Sequence, residues 1–194
     1  SKENKKFIYG FLKQGARAKD FELSLSWLQD AGLIYKVHRA KVGRLPLSAY
    51  EDFAAFKVFL LDVGLLGALS GVEAQMLLEE NELFKEFKGA LTEQYVMQQL
   101  RSNRQNMIYY WSQDNSQGEI DFLVQQGARI YPIEVKAEEN VSGQSLKVYQ
   151  DKYAPEIRLR FSMRNLNING NVINIPLFLC DWLKDILSFV KRTK

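Results

Sequence analysis

The chain contains the stretch Glu119-Ile120-Asp121-Phe122-Leu123-Val124 and, after the turn residues Gln125–Ala128, a second stretch, Ile130-Tyr131-Pro132-Ile133-Glu134-Val135-Lys136. Both are short, mostly apolar runs that carry two charged residues at alternate positions, a pattern that predicts β-strands. If the two strands pair through the turn, Asp121 and Glu134 become neighbours on one face of the sheet.

This pairing predicts a metal site. Two carboxylates at close range repel each other unless a cation lies between them, and oxygen ligands suit Mg²⁺ or Mn²⁺. Alternation of side chains places Glu119 and Leu123 on the face of Asp121, and Lys136 on the face of Glu134. A lysine there can orient or deprotonate a water and offset charge on a transferring phosphate. We therefore expect Asp121 and Glu134 as metal ligands and Lys136 as a catalytic residue.

Glu93 is the fourth candidate and lies on a predicted helix. Its helical neighbours three and four positions away are Gly89, Ala90, Val96 and Met97. This small and apolar face is expected to pack on the sheet. A carboxylate on such a face needs a positive partner. A metal or Lys136 would serve, so we expect Glu93 to join the same catalytic site.

Each of these residues also has a simpler interpretation when it is taken alone. A Glu-x-Lys spacing is common on exposed strands, Asp121 could cap a turn or pair with a surface lysine, and Glu93 could be an exposed helical glutamate. The shared site is favoured because residues from three predicted elements must converge to form it.

The order of elements from Glu82 onwards indicates the fold class. The sequence predicts a helix at Glu82–Arg101, strands at Met107–Trp111, Glu119–Val124 and Ile130–Val135, a helix at Ser145–Tyr153, a strand at Ile157–Phe161, a tight turn at Asn169-Gly170 and a helix from Phe178 to Val190. This α-β-β-β-α-β order predicts an α/β (α+β) fold with a mixed β-sheet flanked by helices.

The first part of the chain has a different pattern. It predicts a helix at Asn4–Gln14, a second helix capped by Asp20 and stopped at Gly32, a strand at Leu33–Arg39, a loop at 40–52, and an acidic helix or connector at Gly71–Asn81. Helix, helix, basic strand is the order of the later part of a winged-helix module. Phe56–Leu69 is expected to pack between the two halves without forming a strand. We predict a winged-helix-like segment at 1–70 and a second domain at 71–194.

Positive charge is concentrated at the start of the chain. Residues 1–50 hold ten Lys/Arg and four Asp/Glu, whereas residues 51–194 hold sixteen and nineteen. Such an excess is typical of a nucleic-acid-binding or acidic-partner-binding segment, and equally of an ordinary solvated surface. The candidates for nucleic-acid contact are Arg17, Lys19, Lys36, Arg39 and Lys41.

Other features exclude some classes of protein. No apolar run is long enough to cross a membrane, no hydrophobic signal segment follows Ser1, and the single cysteine, Cys180, excludes an intrachain disulfide, so we expect a cytoplasmic protein. The sequence contains no Gly-x-x-x-x-Gly-Lys-Ser/Thr phosphate loop, so this chain is not expected to bind ATP by itself. Its single histidine, His38, excludes a site built on several histidines. Because the chain begins with serine, we expect it to be a piece of a longer protein.

Three of these motifs together resemble a known superfamily. Glu93, then Gly118-Glu119-Ile120-Asp121-Phe122, then Ile133-Glu134-Val135-Lys136 is similar to the PD-(D/E)xK nuclease pattern, with Ile120 where the name of the superfamily has proline. The region from Asn4 to Leu187 more closely resembles the C-terminal part of a bacterial and archaeal family of AAA-type ATPases. Phe56–Leu66 and Phe87–Glu93 are similar to further signatures of that family.

The resemblance implies a restriction-endonuclease-like domain that follows a P-loop ATPase domain and a winged-helix segment. It implies metal binding by Asp121 and Glu134, catalysis by Lys136 with Glu93, and auxiliary polar groups at Gln144 and Lys147. The expected partners are DNA and the ATPase domain of the parent chain, with no membrane, and an oligomer is compatible with this arrangement. The alternative is a non-catalytic DNA- or protein-binding module for that ATPase; a third reading is a fragment that needs the ATPase to load its substrate.

Overall fold

The computed structural model describes residues 6–7, 17–71, 82–103, 106–113, 118–137 and 143–192. The helices are α1 (Ala18–Asp30), α2 (Val63–Leu69), α3 (Glu82–Ser102), α4 (Gln144–Tyr153) and α5 (Leu183–Arg192). The strands are β1 (Ile34–Ala40), β2 (Glu51–Leu60), β3 (Met107–Ser112), β4 (Glu119–Gln126), β5 (Arg129–Val135), β6 (Arg158–Ser162), β7 (Asn167–Asn169) and β8 (Val172–Pro176). Most of the helix expected at Asn4–Gln14, and the connector after Gly71, lie outside the described residues.

All eight described strands form one mixed sheet in the order β2-β1-β3-β4-β5-β6-β8-β7. Neighbours are antiparallel in β1–β2, β3–β4, β4–β5 and β7–β8, and parallel in β1–β3, β5–β6 and β6–β8. The parallel pair β5–β6 is joined by a crossover through α4, as parallel strands require. The predicted fold class, a mixed sheet flanked by helices, is confirmed.

Apolar side chains on both faces of the sheet are covered by helices. On one face, Phe122 and Ile133 pack against Val96 of α3 and Leu187 of α5. On the other face, the core beneath α4 contains Trp111, Ile120, Leu123, Leu146 and Tyr149. The central strands are therefore buried on both sides, which explains why β4 and β5 are apolar at positions that alternation assigns to opposite faces.

The prediction for Phe56–Leu69 is wrong. Glu51–Leu60 forms β2, an edge strand antiparallel to β1, and Val63–Leu69 forms α2. The side chain of Asp62 accepts a hydrogen bond from the Leu65 backbone N–H at 2.7 Å, so it caps α2. The apolar run of β2 was ambiguous by periodicity, and pairing with β1 decides its structure.

The start of α1 also differs from the prediction. The helix begins at Ala18, and Asp20 lies inside its first turn, where its carboxylate accepts a hydrogen bond from the Arg17 backbone N–H at 3.0 Å. Gly32 ends this helix as predicted: it adopts φ +73°, a conformation that favours glycine, and Leu33 N–H donates to the Leu28 carbonyl.

The C-terminal part contains two strands that the sequence did not predict. The turn at Asn169-Gly170 is present, with Gly170 at φ +59°, and it joins β7 to β8. The expected helix at Phe178–Val190 is divided into a 3₁₀ segment at Leu177–Trp182 and α5. No helix in the described ranges combines the length and apolar character needed to span a bilayer.

The β1–β2 hairpin continues the sheet of the later strands. Arg39 of β1 is paired with Tyr110 of β3 in a parallel arrangement. The hairpin follows α1 directly, the connectivity expected at the end of a winged-helix segment. The boundary at residue 70 stays a prediction.

The packing predicts different losses of stability when two phenylalanines are replaced by alanine. Phe122 is fully buried, whereas Phe53 is 74% exposed. We expect Phe122→Ala to lower the free energy of unfolding by about 3–5 kcal/mol, because it leaves a cavity in the core, and Phe53→Ala to change it by less than about 0.5 kcal/mol. Urea unfolding of both variants measures this, and equal losses would contradict the described core.

Candidate active site

Strands β4 and β5 separate at the position of Asp121. Their pairing runs from Gln126↔Arg129 to Phe122↔Ile133 and ends there. Beyond that point the Val135 backbone N–H donates to Oδ2 of Asp121 at 2.7 Å, so a side chain supplies the acceptor. Val135 stays paired with Phe161 of β6, and the Lys136 backbone N–H donates to the Phe161 carbonyl at 2.9 Å. The result is a fork between the two strands, with Asp121 inside it.

An irregularity in β4 accompanies the fork. Tyr109 is paired with Leu123 and Trp111 with Ile120, so Asp121 and Phe122 both lie opposite Tyr110. This two-against-one arrangement is a β-bulge, which changes the alternation of side chains. Leu123 consequently packs in the core beneath α4, together with Ile120. The expectation that Leu123 shares a face with Glu119 and Asp121 is wrong for this reason.

Glu134 lies next to the fork on β5 and is 2% exposed. Its Oε2 accepts a hydrogen bond from Arg160 Nε at 3.0 Å, and its Oε1 is 3.5 Å from Lys136 Nζ. Arg160 is the residue directly across from Glu134 on β6. The predicted pair Glu134 and Lys136 is therefore together, with a guanidinium as an additional partner.

Glu93 is positioned by hydrogen bonds between α3 and the edge of the sheet. The amide of Gln94 accepts from the Leu60 backbone N–H at 2.9 Å and donates to the Leu60 carbonyl at 2.8 Å, and Gln98 accepts from Val63 N–H. These bonds fix α3 against β2. Glu93 is 3% exposed, and Val96 and Met97 pack in the core as predicted.

Lys57 of β2 lies close to Glu93. Lys57 Nζ is 3.8 Å from Oε2 of Glu93 and 2.5 Å from Oε1 of Glu119, and it lies 5.2 Å from the centre of the Tyr110 ring. The Lys57 side chain is completely buried. A charge without water at this depth depends on its carboxylate partners.

The charges in this cluster shift each other's ionisation. Burial acts to lower the pKa of Lys57, but the negative charges of Glu93, Glu119 and Asp121 outweigh it and raise the pKa above the ordinary lysine value. Burial raises the pKa of Tyr110 to about 12, and the Glu119 carboxylate adds to this effect. Lysine and tyrosine both keep their protons well above neutral pH in this environment.

The four predicted site residues thus form two halves. Glu93 and Asp121 surround Lys57 on the α3 side, and Glu134 contacts Lys136 and Arg160. The hydrogen bond from Val135 N–H to Asp121 joins the halves. Within the described residues, no group of three or more His, Cys, Asp or Glu side chains is arranged to hold a metal ion.

Sequence reasoning missed two cations of this site. Lys57 was visible as the single charge in the apolar run from Phe56 to Leu61. The second missed cation, Arg160, was visible as one of two basic residues at alternate positions of the strand predicted at Ile157–Phe161. In both cases a charge within a buried strand was the signal, because such a charge requires a partner.

The predicted nucleic-acid-binding residues have different environments. Arg17, Lys19 and Lys41 are exposed. Lys36 forms an ion pair with Glu22, and Arg39 donates to Asp52 at 2.7 Å. The auxiliary candidates Gln144 and Lys147 are exposed at the start of α4. The roles of these residues stay predictions.

Comparisons with known proteins match both parts of the chain. Residues 88–178 match a family described as a domain of unknown function (DUF4143), and residues 1–76 match another domain of unknown function (DUF8612). DUF4143 is often found in AAA-ATPase-associated proteins. The similarity to DUF4143 indicates an accessory domain of ATPase-type proteins.

A comparison with curated proteins gives no match. Among solved structures, protein VC1899 from Vibrio cholerae is 15% identical, with a TM-score of 0.33. The alignment covers 95% of this chain and 46% of VC1899, so this chain spans less than half of that protein's length.

The buried cluster predicts that Lys57 is needed for stability. We expect Lys57→Met to lower the free energy of unfolding by about 3–5 kcal/mol, because it leaves Glu93 buried without its ammonium. Lys184→Met, at an exposed position of α5, is the control and should change it by less than about 0.5 kcal/mol. Adding Glu93→Gln to Lys57→Met should recover part of the loss, since the uncompensated charge is removed. Additive losses in urea unfolding would contradict the ion pair.

The raised pKa values predict a stability loss at alkaline pH. The folded chain keeps the Tyr110 proton up to pH about 12, whereas an unfolded tyrosine releases it near pH 10. The contribution of Tyr110 is therefore fully present below pH 10 and is lost as pH rises to about 12. We expect the decline of unfolding free energy over this window to be shallower in Tyr110→Phe. Parallel declines in the two proteins would contradict the assignment.

Proposed function

We propose that this chain is an accessory domain of an ATPase-type protein that hydrolyses phosphodiester bonds of nucleic acid, with DNA as the first expected substrate. The observation that carries the proposal is the fork at Asp121, where a carboxylate of β4 accepts the backbone N–H that directly follows Glu134 on β5. The distance from the Val135 backbone nitrogen to Oδ2 of Asp121 is 2.7 Å, and Val135 is the residue that follows Glu134 in the chain. The similarity to DUF4143 supports the association with an ATPase.

The chemistry of the donors fits a divalent cation of the Mg²⁺ type. Asp121 and Glu134 would hold it, and both offer oxygen atoms only. Two carboxylates without a third protein ligand suit an ion that keeps several waters of its own. When bound, the ion would supply Lewis-acid polarisation of a phosphoryl oxygen and acidify a water.

The remaining residues of the site have distinct roles in this proposal. The Lys136 side chain is 27% exposed, and its ammonium lies 3.5 Å from Glu134. It can orient the attacking water and offset negative charge that develops on the phosphate. Glu93 lies 3.8 Å from Lys57, and it acts as a positioning residue through that lysine. Its carboxylate helps to keep that buried lysine charged beside Asp121.

A second function is favoured by one specific observation. Glu93 has Lys57 as a cationic neighbour, and Glu134 has Arg160, so both carboxylates are compensated by the protein's own cations. Such a cluster needs no metal for electrostatic balance. On this alternative the chain is a non-catalytic nucleic-acid- or protein-binding module of the ATPase.

Cation binding and cleavage together separate the two functions. We expect calorimetric titration of the chain with Mg²⁺ or Mn²⁺ to give a binding heat that Asp121→Asn abolishes, since the amide keeps the acceptor for Val135 N–H but loses the charge. We expect cleavage of labelled DNA to fall about a hundredfold or more in Lys136→Met, because charge stabilisation and water orientation are lost. Lys184→Met is the control, and RNA is the second substrate to be assayed.

Three outcomes decide between the functions. Binding heat with cleavage that depends on Lys136 supports the nuclease. Absence of both heat and cleavage from the folded chain contradicts it and supports the non-catalytic module. Cleavage that is unchanged in Lys136→Met would exclude the proposed mechanism.

A further inference from the structure

A row of polar residues crosses the sheet beside Glu134. Glu134 of β5 is paired with Arg160 of β6, Arg160 with Asn174 of β8, and Asn174 with Asn167 of β7. Directly paired residues on neighbouring strands project to the same face. The opposite face of the same strands is apolar and packs against α3 and α5. The polar row therefore lies on the face that carries α4, at the side of the sheet that ends in β7.

This row forms part of a cavity of about 480 Å³. The residues that line it are Gly143, Leu146, Arg158, Arg160, Arg164, Asn165, Asn167, Asn169, Val172 and Asn174. Three of them are arginines, and no described lining residue is acidic. The neighbouring acid, Glu134, contacts Arg160 and balances one positive charge, so the cavity keeps a positive excess.

Arg158 is held rigidly in this cavity. Its Nε donates to Oδ1 of Asn171 at 3.1 Å, and a terminal nitrogen donates to the Leu146 carbonyl at 3.3 Å. Asn171 in turn donates to Gln150 and to the Pro155 carbonyl. Burial and the charge of Arg160 lower the pKa of Arg158, while Asp151 acts in the opposite direction. Two guanidinium groups are thus kept close enough to repel each other, an arrangement that an anion would stabilise.

Arg164 is presented by a loop that rests on buried polar side chains. Ser162 Oγ donates to Oδ1 of Asn174 at 2.8 Å and accepts from the Arg164 backbone N–H at 3.2 Å. Asn174 Nδ2 donates to the carbonyls of Arg164 and Asn165. Among the described residues the Arg164 guanidinium has no ion-pair partner. Its position is therefore defined by the loop backbone, and its five donors are available to a ligand.

The start of α4 adds to the positive potential of the cavity. Gly143 precedes the helix and lines the cavity, and the first backbone amides of a helix carry partial positive charge. A Cβ atom at position 143 would collide with a terminal nitrogen of Arg160. Glycine here lets the Arg160 guanidinium lie directly against the helix start.

We propose that this cavity, which we call the arginine pocket, binds a backbone phosphate of the nucleic-acid strand whose neighbouring phosphodiester bond reaches the fork. Guanidinium groups and helix-start amides recognise phosphate by paired hydrogen bonds and charge. The exposed asparagines of the lining, Asn165, Asn167 and Asn169, offer donors and acceptors for the adjoining sugar or base. A free nucleotide offers the same phosphate chemistry. The choice of a nucleic-acid strand as the ligand therefore rests on the proposed function.

Binding can be measured separately from cleavage. The probe is a fluorescently labelled single-stranded oligonucleotide, and its anisotropy is followed with the full chain in EDTA, where no divalent cation supports hydrolysis. We expect Arg164→Gln to weaken binding about tenfold, the effect of a lost charge-assisted hydrogen bond, and to lower the slope of log K against log salt concentration by about 1. We expect Gly143→Ala to weaken binding without changing that slope, since it displaces Arg160 but removes no charge. Arg129→Gln, an exposed arginine at the far end of β5, is the control.

The outcomes separate this inference from the proposed function. Wild-type affinity in both Arg164→Gln and Gly143→Ala, or absence of binding by the folded wild-type chain, would overturn the arginine pocket, whatever the cleavage assay gives. Weakened binding in both variants supports the pocket even where the wild-type chain cleaves neither DNA nor RNA, or where cleavage is unchanged in Lys136→Met. Competition by a mononucleotide distinguishes the two sources of the phosphate. A mononucleotide affinity equal to that of the oligonucleotide would overturn the assignment of a strand as the ligand, in favour of a free nucleotide. A weaker mononucleotide affinity supports the strand as the ligand.

Discussion

Lys57 carries a positive charge in a part of the protein that water does not reach, and the arrangement of the sheet centre follows from the need to compensate that charge. Its strand, β2, lies at the sheet edge, and two strands, β1 and β3, separate it from the β4 strand that supplies Glu119 and Asp121. Helix α3 supplies Glu93 and is locked to β2 through the Gln94 amide. Because a buried ion without partners is costly, α3, β2 and β4 must keep their relative positions. The positive charge of Lys57 also offsets the repulsion among the three carboxylates near it in the folded state.

The sequence predicted the parts of the fold whose patterns are long or strictly periodic. Helix α3 and strands β3 to β5 were predicted within a few residues, because each combines a regular apolar spacing with clear turn residues. Strand β2 was missed because its apolar run has no clean period, and only the partner strand β1 defines it. Strand β7 was missed because Asn-Ile-Asn has low intrinsic strand preference, so its structure comes from pairing with β8.

The candidate site was predictable in its acids and in Lys136, but not in its two other cations, Lys57 and Arg160. Glu93, Asp121 and Glu134 lie at buried positions where a single sequence can recognise that a charge needs a partner. Which cation meets which carboxylate depends on strand order, and strand order is a long-range property. Lys57 and Arg160 are far from these acids along the chain, and the bulge at Asp121 breaks the alternation from which faces were inferred. The β-bulge is itself a local change that re-aims a side chain, and such changes are typical of functional positions.

The protein's own cations and a divalent ion would compete for the same carboxylate. Glu134 accepts from Arg160, so a cation that binds Glu134 must share this carboxylate with a guanidinium or displace it. Displacement would release Arg160 towards the arginine pocket, where it lies against Gly143. A phosphate in that pocket would attract the released guanidinium and favour the same rearrangement. Occupation of the pocket by an anion and of the fork by a cation would therefore assist each other, since each relieves a charge imbalance that the other creates.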